Sequence, residues 1–354
     1  MKRFLVSLCS IALATALMIF SVGCSQKVYL SFNNNFNGGG ESGEPNTQYT
    51  EILTYQVKYT ENYNDRLIVK DSDLTEQVIK FKYENGSYTQ TFEVLPFLPE
   101  EVASQTDISV ADTKIYHLKT LFKITATYDV NDGNGEKSYN DQIETDAYFL
   151  PAGQSFAPIY SSVKSNCSQV ELSGGKARVM TQETQSVIVY NTASYKTSTT
   201  ATLTNGENTA NSQNQKDYEY DYRQVIDNTE FLFALRGLTV NEQSHTDISV
   251  VSPSYGEPKT LRITHGGALS TTVQAVINGK DVNESVAVTS LSYQLNTTRN
   301  SGAPQYVLLQ SAKSENIPFK ALPVEFAQTL TTYGTFSSMG GLVYSLTSVD
   351  IVNG

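Results

Sequence analysis

The stretch Tyr49-Thr50-Glu51-Ile52-Leu53-Thr54-Tyr55-Gln56-Val57-Lys58-Tyr59-Thr60 decides the fold class. Leu53, Tyr55, Val57 and Tyr59 interleave with Ile52, Thr54, Gln56 and Lys58, and alternation of this kind turns one apolar face of a β-strand inward. Next along the chain, Gln77 to Tyr83 and Tyr88 to Val94 flank Asn85-Gly86, the left-handed pair that a type I′ hairpin requires. Further strands are predicted at Lys114 to Val130, Lys137 to Leu150, Ala177 to Tyr190, Ser194 to Leu203, Asp217 to Val225, Thr271 to Ile277, Ser285 to Leu295, Gln305 to Gln310 and Leu342 to Val352. Strands of this length joined by polar turns predict a mainly β fold: an antiparallel curved sheet, a barrel-like shell or a sandwich. Asn205-Gly206 through Gln215, rich in Asn, Gln, Thr and Ser, reads as a loop.

One short packed helix is expected. Asp227 can cap its first amides, Glu230 stands three residues on as in a capping box, Phe231 to Leu235 supply the apolar face, and Gly237 offers a left-handed end. Thr106-Asp107-Ile108-Ser109-Val110 recurs as Thr246-Asp247-Ile248-Ser249-Val250, and Lys119-Thr120-Leu121 as Lys259-Thr260-Leu261 at the same offset. Duplication of a β unit and convergence of short strand-like sequence both account for this. Residues 49–354 are therefore one large domain or two related halves meeting near 150–215.

The N-terminus is of a different kind. Lys2 and Arg3 precede an uncharged apolar run from Phe4 to Val22, the layout of a signal peptide, here residues 1–23. Ser21-Val22-Gly23-Cys24 resembles the lipobox of bacterial lipoproteins, departing from it at Ser21, where Leu is usual. That resemblance implies a diacylglycerol on Cys24 and a location on the outer side of a cell membrane, with the membrane met through the lipid anchor. Residues 24–48 carry Asn33-Asn34-Asn35 and Gly38-Gly39-Gly40, which bury nothing and cost entropy to order, so they read as a flexible tether. Its end-to-end reach is about 27 Å for a flexible chain of this length. An ordinary cleaved leader and an uncleaved membrane helix are the alternatives.

A formal net charge of −11, more acidic still once Lys2 and Arg3 leave, repels phosphate backbones and argues against a nucleic-acid partner. Of three cysteines, Cys9 falls in the leader and Cys24 takes the lipid, which leaves Cys167 as a buried, inert thiol. His117, His245 and His265 are far apart in sequence, and no zincin, phosphate-loop or nucleophile-elbow pattern is present. Asp129 to Glu136 resembles part of a calcium loop, but Gly133 stands where an acid or amide is needed and no glutamate closes it; a hairpin turn fits better. No cofactor, metal or catalytic residue is assigned.

Asp227 to Arg236, with Tyr218-Glu219-Tyr220-Asp221-Tyr222 before it and Gly341 to Leu346 far beyond, resembles a family of uncharacterised β-rich envelope proteins. The resemblance implies a β shell wrapped on a helix, similar in shape to periplasmic lipoprotein carriers, and no activity. Among 22 tyrosines, Tyr218, Tyr220 and Tyr222 share one strand face while Glu219 and Asp221 share the other, a row that lines a ligand groove beside the helix or packs into the core. Three functional classes follow: a non-catalytic binding or carrier lipoprotein of unknown ligand, an envelope structural or protein-interaction module, and a hydrolase with an unrecognised site.

Overall fold

The computed structural model describes residues 49–59, 66–70, 76–110, 113–130, 135–151, 155–173, 176–205, 208–238, 245–252, 257–295, 305–319, 321–329 and 341–353. The predicted leader, Cys24 and the tether lie outside the described residues. The strands are β1 (Tyr49–Tyr59), β2 (Arg66–Lys70), β3 (Glu76–Leu95), β4 (Ile115–Asp129), β5 (Lys137–Phe149), β6 (Pro158–Ser173), β7 (Lys176–Tyr190), β8 (Ser194–Asn205), β9 (Asn208–Glu219), β10 (Ile226–Asp227), β11 (His245–Val251), β12 (Lys259–Ile277), β13 (Lys280–Leu295), β14 (Gln305–Gln310), β15 (Pro323–Thr329) and β16 (Gly341–Asn353). Two short helices, α1 (Glu100–Ala103) and α2 (Phe231–Ala234), interrupt them.

All sixteen strands join one sheet in the order β10-β11-β12-β13-β14-β15-β16-β1-β3-β4-β5-β6-β7-β8-β9, with β2 on the edge of β3. Pairing is antiparallel except for β10 with β11 and β12 with β16. The expected mainly β, antiparallel class therefore holds. The first and last strands meet, Tyr49 opposite Asn353 and Tyr59 opposite Leu342. With β1 along one edge of β16, the other edge takes β15 from Gly341 to Ser345 and then β12 at Ser348 and Val349, which closes β12 to β16 into a ring. From β3 to β9 the sheet continues through residues 150–215 without a break.

Asn85-Gly86 does not turn a hairpin. The flanking segments form one strand, β3, and the pair makes a bulge: β3 advances from Glu84 to Ser87 while β4 advances only from Thr125 to Lys123. Asn85 takes the left-handed conformation, with φ 54°, that such a bulge uses. The extra residue shifts the buried positions from Ile79 and Phe81 to Gln90, Phe92 and Val94, so one face stays inward along the whole strand. Staying extended lets both arms pair with β4, which a turn would forfeit.

Three other expectations change. The amide-rich segment read as a loop is most of β9, held by an unbroken ladder to β8 from Asn205–Asn208 to Ser194–Glu219. The strand predicted at Asp217 to Val225 ends at Glu219, because the Asp221 carboxylate accepts from the Arg223 amide at 3.1 Å and starts a 3-10 turn at Tyr222–Gln224. The repeated pentapeptides differ in structure, Thr106–Val110 being irregular and Thr246–Val250 lying in β11.

Candidate functional site

The helix α2 buries Phe231, Phe233 and Ala234. Its Phe233 ring packs 4.4 Å from Phe92 and 5.6 Å from Phe149, and Phe231 packs 5.0 Å from Tyr293, so the helix joins the β3–β5 wall to β13. Two of the expected hydrogen bonds form, Thr229 N–H donating to Asp227 Oδ1 at 2.8 Å and Asp227 N–H to Glu230 Oε1 at 3.1 Å, but they close the turn before the helix, whose own N-cap, Glu230, makes no side-chain cap bond. Gly237 is not left-handed; it donates to Ala234 O and ends the turn in that way. Asp227 is fully buried and also accepts from Ser161 Oγ on β6 and Tyr190 Oη on β7, both at 2.6 Å. Burial, reinforced by the Asp227 charge, raises the Glu230 pKa well above the usual carboxylate range.

Arg236 anchors the other end. Its guanidinium forms a bidentate pair with Glu51 on β1 and donates to Ala321 O at 3.0 Å, and all of this is buried. Burial works against the Arg236 charge, but Glu51 more than offsets it and the pKa moves up. Asp227 and Arg236, the polar marks of the family resemblance, thus fix the helix to three separate strands, β6, β7 and β1, and to a loop at Ala321. They present no reactive group to solvent.

The three tyrosines do not form a row. Tyr218 is the next-to-last residue of β9 and stacks on Tyr195 at 4.9 Å, Tyr220 follows the strand, and Tyr222 opens the 3-10 turn with its side chain buried. All three pack against one core cluster that includes Tyr190, Tyr195 and Val225. The single strand face expected for them is broken by the Asp221 cap, which starts the 3-10 turn.

A groove of about 480 Å³ lies instead on the sheet face across β5, β6, β7 and β8. Two cross-strand rows line it: Glu144, Lys164, Gln185 and Thr200 face one another in register, as do Gln142, Asn166, Glu183 and Thr202. Most of these side chains are exposed, because strand alternation turns their neighbours Asp141, Ser186 and Ile188 into the core. The groove carries amides, hydroxyls and three charges, with no aromatic among its lining residues. Its signal in the sequence is alternation of Asn, Gln, Thr and Ser on four strands, which no local pattern connects.

The histidines are dispersed. His117 on β4 lies 2.7 Å from Asp146 and 3.2 Å from Glu93, stacked on Tyr148, and is buried. His245 sits 3.7 Å from Asp247, and His265 Nδ1 accepts from the Gly267 amide. Among the described residues no group of three or more His, Cys, Asp or Glu is placed to hold a metal ion. Burial pushes the Cys167 thiol up to about 12, so it is protonated and inert at neutral pH.

These features define the chain as a mainly antiparallel β protein built around a polar-anchored helix. No family model matches it, and no curated protein matches it in sequence. Among solved structures, the crystal structure of a β-barrel-like protein of domain of unknown function DUF1849 from Brucella abortus is similar, at 9% identity and a TM-score of 0.39, over 87% of this chain and 100% of that one.

Proposed function

We propose that this chain is a lipid-anchored extracytoplasmic protein that binds a ligand without transforming it, and that the groove across β5 to β8 is where it binds. The observation that carries the binding reading is the pair of registered rows, in which the amides of Gln142, Asn166 and Gln185 and the hydroxyls of Thr200 and Thr202 stand among the charged Glu144, Lys164 and Glu183. Asn, Gln and Thr both donate and accept, and at strand spacing they match a ligand that repeats the same chemistry, such as a neutral oligosaccharide. Each exposed hydrogen bond only exchanges with water and contributes little alone, so such a site takes a chain that spans several strands rather than a small molecule. The signal layout ending at Cys24 supports the anchor, and the Asn- and Gly-rich composition of residues 24–48 suits a tether.

Calorimetric titration of neutral oligosaccharides of increasing length into the protein tests the groove. Affinity is expected to rise with chain length and to fall about tenfold or more in Asn166→Ala/Gln185→Ala, given that each lost polar contact is worth up to about one decade. Length-independent heats, or equal affinity in the variant, would remove the groove from the proposal.

A further inference from the structure

The last strand of the sheet, β9, pairs only with β8 among the described residues, and its other edge is unpaired for twelve residues. Long free edges are templates for another strand, and proteins usually blunt them with charge, proline, bulges or brevity. Here the β8–β9 ladder has no bulge, and Thr209-Ala210-Asn211-Ser212-Gln213-Asn214-Gln215 contains neither charge nor proline. Every side chain from Thr209 to Asp217 is exposed, on both faces of the ribbon, and among the described residues no other strand pairs with its free edge.

We propose that β9 pairs antiparallel with β9 of a second copy of this chain. Two-fold antiparallel pairing sets each residue opposite another of the same short set, which is favourable only if the side chains match themselves. Amides and hydroxyls do, because each carries a donor and an acceptor, whereas like charges would repel. On a chain of net charge −11, the strip from Thr209 to Gln215, which stops short of Lys216, Asp217 and Glu219 in the same strand, lets two copies meet without opposing carboxylates. The inference does not depend on the oligosaccharide reading; it gives the interaction-module reading a specific partner.

Sedimentation equilibrium of the full chain in density-matched detergent, across the micromolar range, tests it. The parent is expected to dimerise, Asn211→Lys/Gln213→Lys to dimerise at least about tenfold more weakly, as edge lysines do, and Asn211→Ser/Gln213→Asn to keep the dimer. Amide exchange read on the same samples should show β9 protection rising with concentration in the parent alone. A monomeric parent, an undiminished lysine variant, or β9 protection that ignores concentration would overturn the proposal.

Discussion

Arg236 and Glu51, 185 residues apart in the chain, form a buried bidentate pair that ties the end of α2 to the first strand. Tyr49 Oη donates to the same carboxylate at 3.0 Å. Removing one partner leaves a charge without compensation in a dry site, so Glu51→Gln should cost about 3–5 kcal/mol in denaturant unfolding. Glu51→Leu/Arg236→Met should recover most of that loss. A Glu51→Gln variant as stable as the parent would show that the pair does not hold the helix.

Tyr222 is buried, while Tyr218 and Tyr220 are half-buried. Tyr222→Ser should therefore destabilise most, by about 3 kcal/mol as for other large-to-small core changes, and Tyr220→Ser distinctly less. Unfolding midpoints for the three single variants give the ranking; equal, small effects would mean that none of them is part of the core.

At the β3 bulge a Cβ on Gly86 would lie 2.5 Å from Val57 O and 2.8 Å from Val57 Cβ. Backbone oxygen cannot move aside without breaking the β1 ladder, so Gly86→Ala should cost about 2 kcal/mol or more, in the range of overpacked cores. Asn85→Gly should be close to neutral, since its left-handed φ suits glycine. A tolerated Gly86→Ala, read from its unfolding midpoint, would mean that β1 and β3 are not so close.

The same bulge shows how much was legible in the sequence. Asn85-Gly86 correctly marked a left-handed step, but a turn and a bulge ask for the same residues, and only the pairing of both arms with β4 separates them. Strands with one apolar face, such as β1, β4 and β7, announced themselves by alternation. β9 did not, because both its faces are polar and exposed and the β8 ladder alone makes it a strand. β6 is hidden for a related reason: the buried Ser161 and Ser168 stand where an apolar residue would have signalled the inward face. The capping residues Asp227 and Glu230 were readable as local chemistry; their long-range partners Ser161 and Tyr190 were not.

Asp141 is buried and accepts from the Ser168 amide at 2.7 Å, and burial pushes its pKa up to about 6 from an ordinary 3.8. The folded state thus holds this proton more tightly than the unfolded state. Below 3.8 both are protonated and nothing is lost; between 3.8 and 6 the unfolded chain ionises first and stability falls; above 6 the cost is complete, on the order of 2–3 kcal/mol. Glu230 acts with the same sign, so the comparison to make is parent against Asp141→Asn, whose unfolding free energy should fall less between pH 4 and pH 7 by about that amount. Parallel pH profiles would place the Asp141 proton elsewhere.

The functional proposal stands or falls on whether the β-rich region works at a membrane surface, and the intact mass of the mature chain is its most direct test. A chain beginning at Cys24 and carrying a diacylglyceryl group, with Cys24→Ala released or left unprocessed, is the expected result. An unmodified N-terminus at any other residue, or retention of residues 1–23, would contradict it.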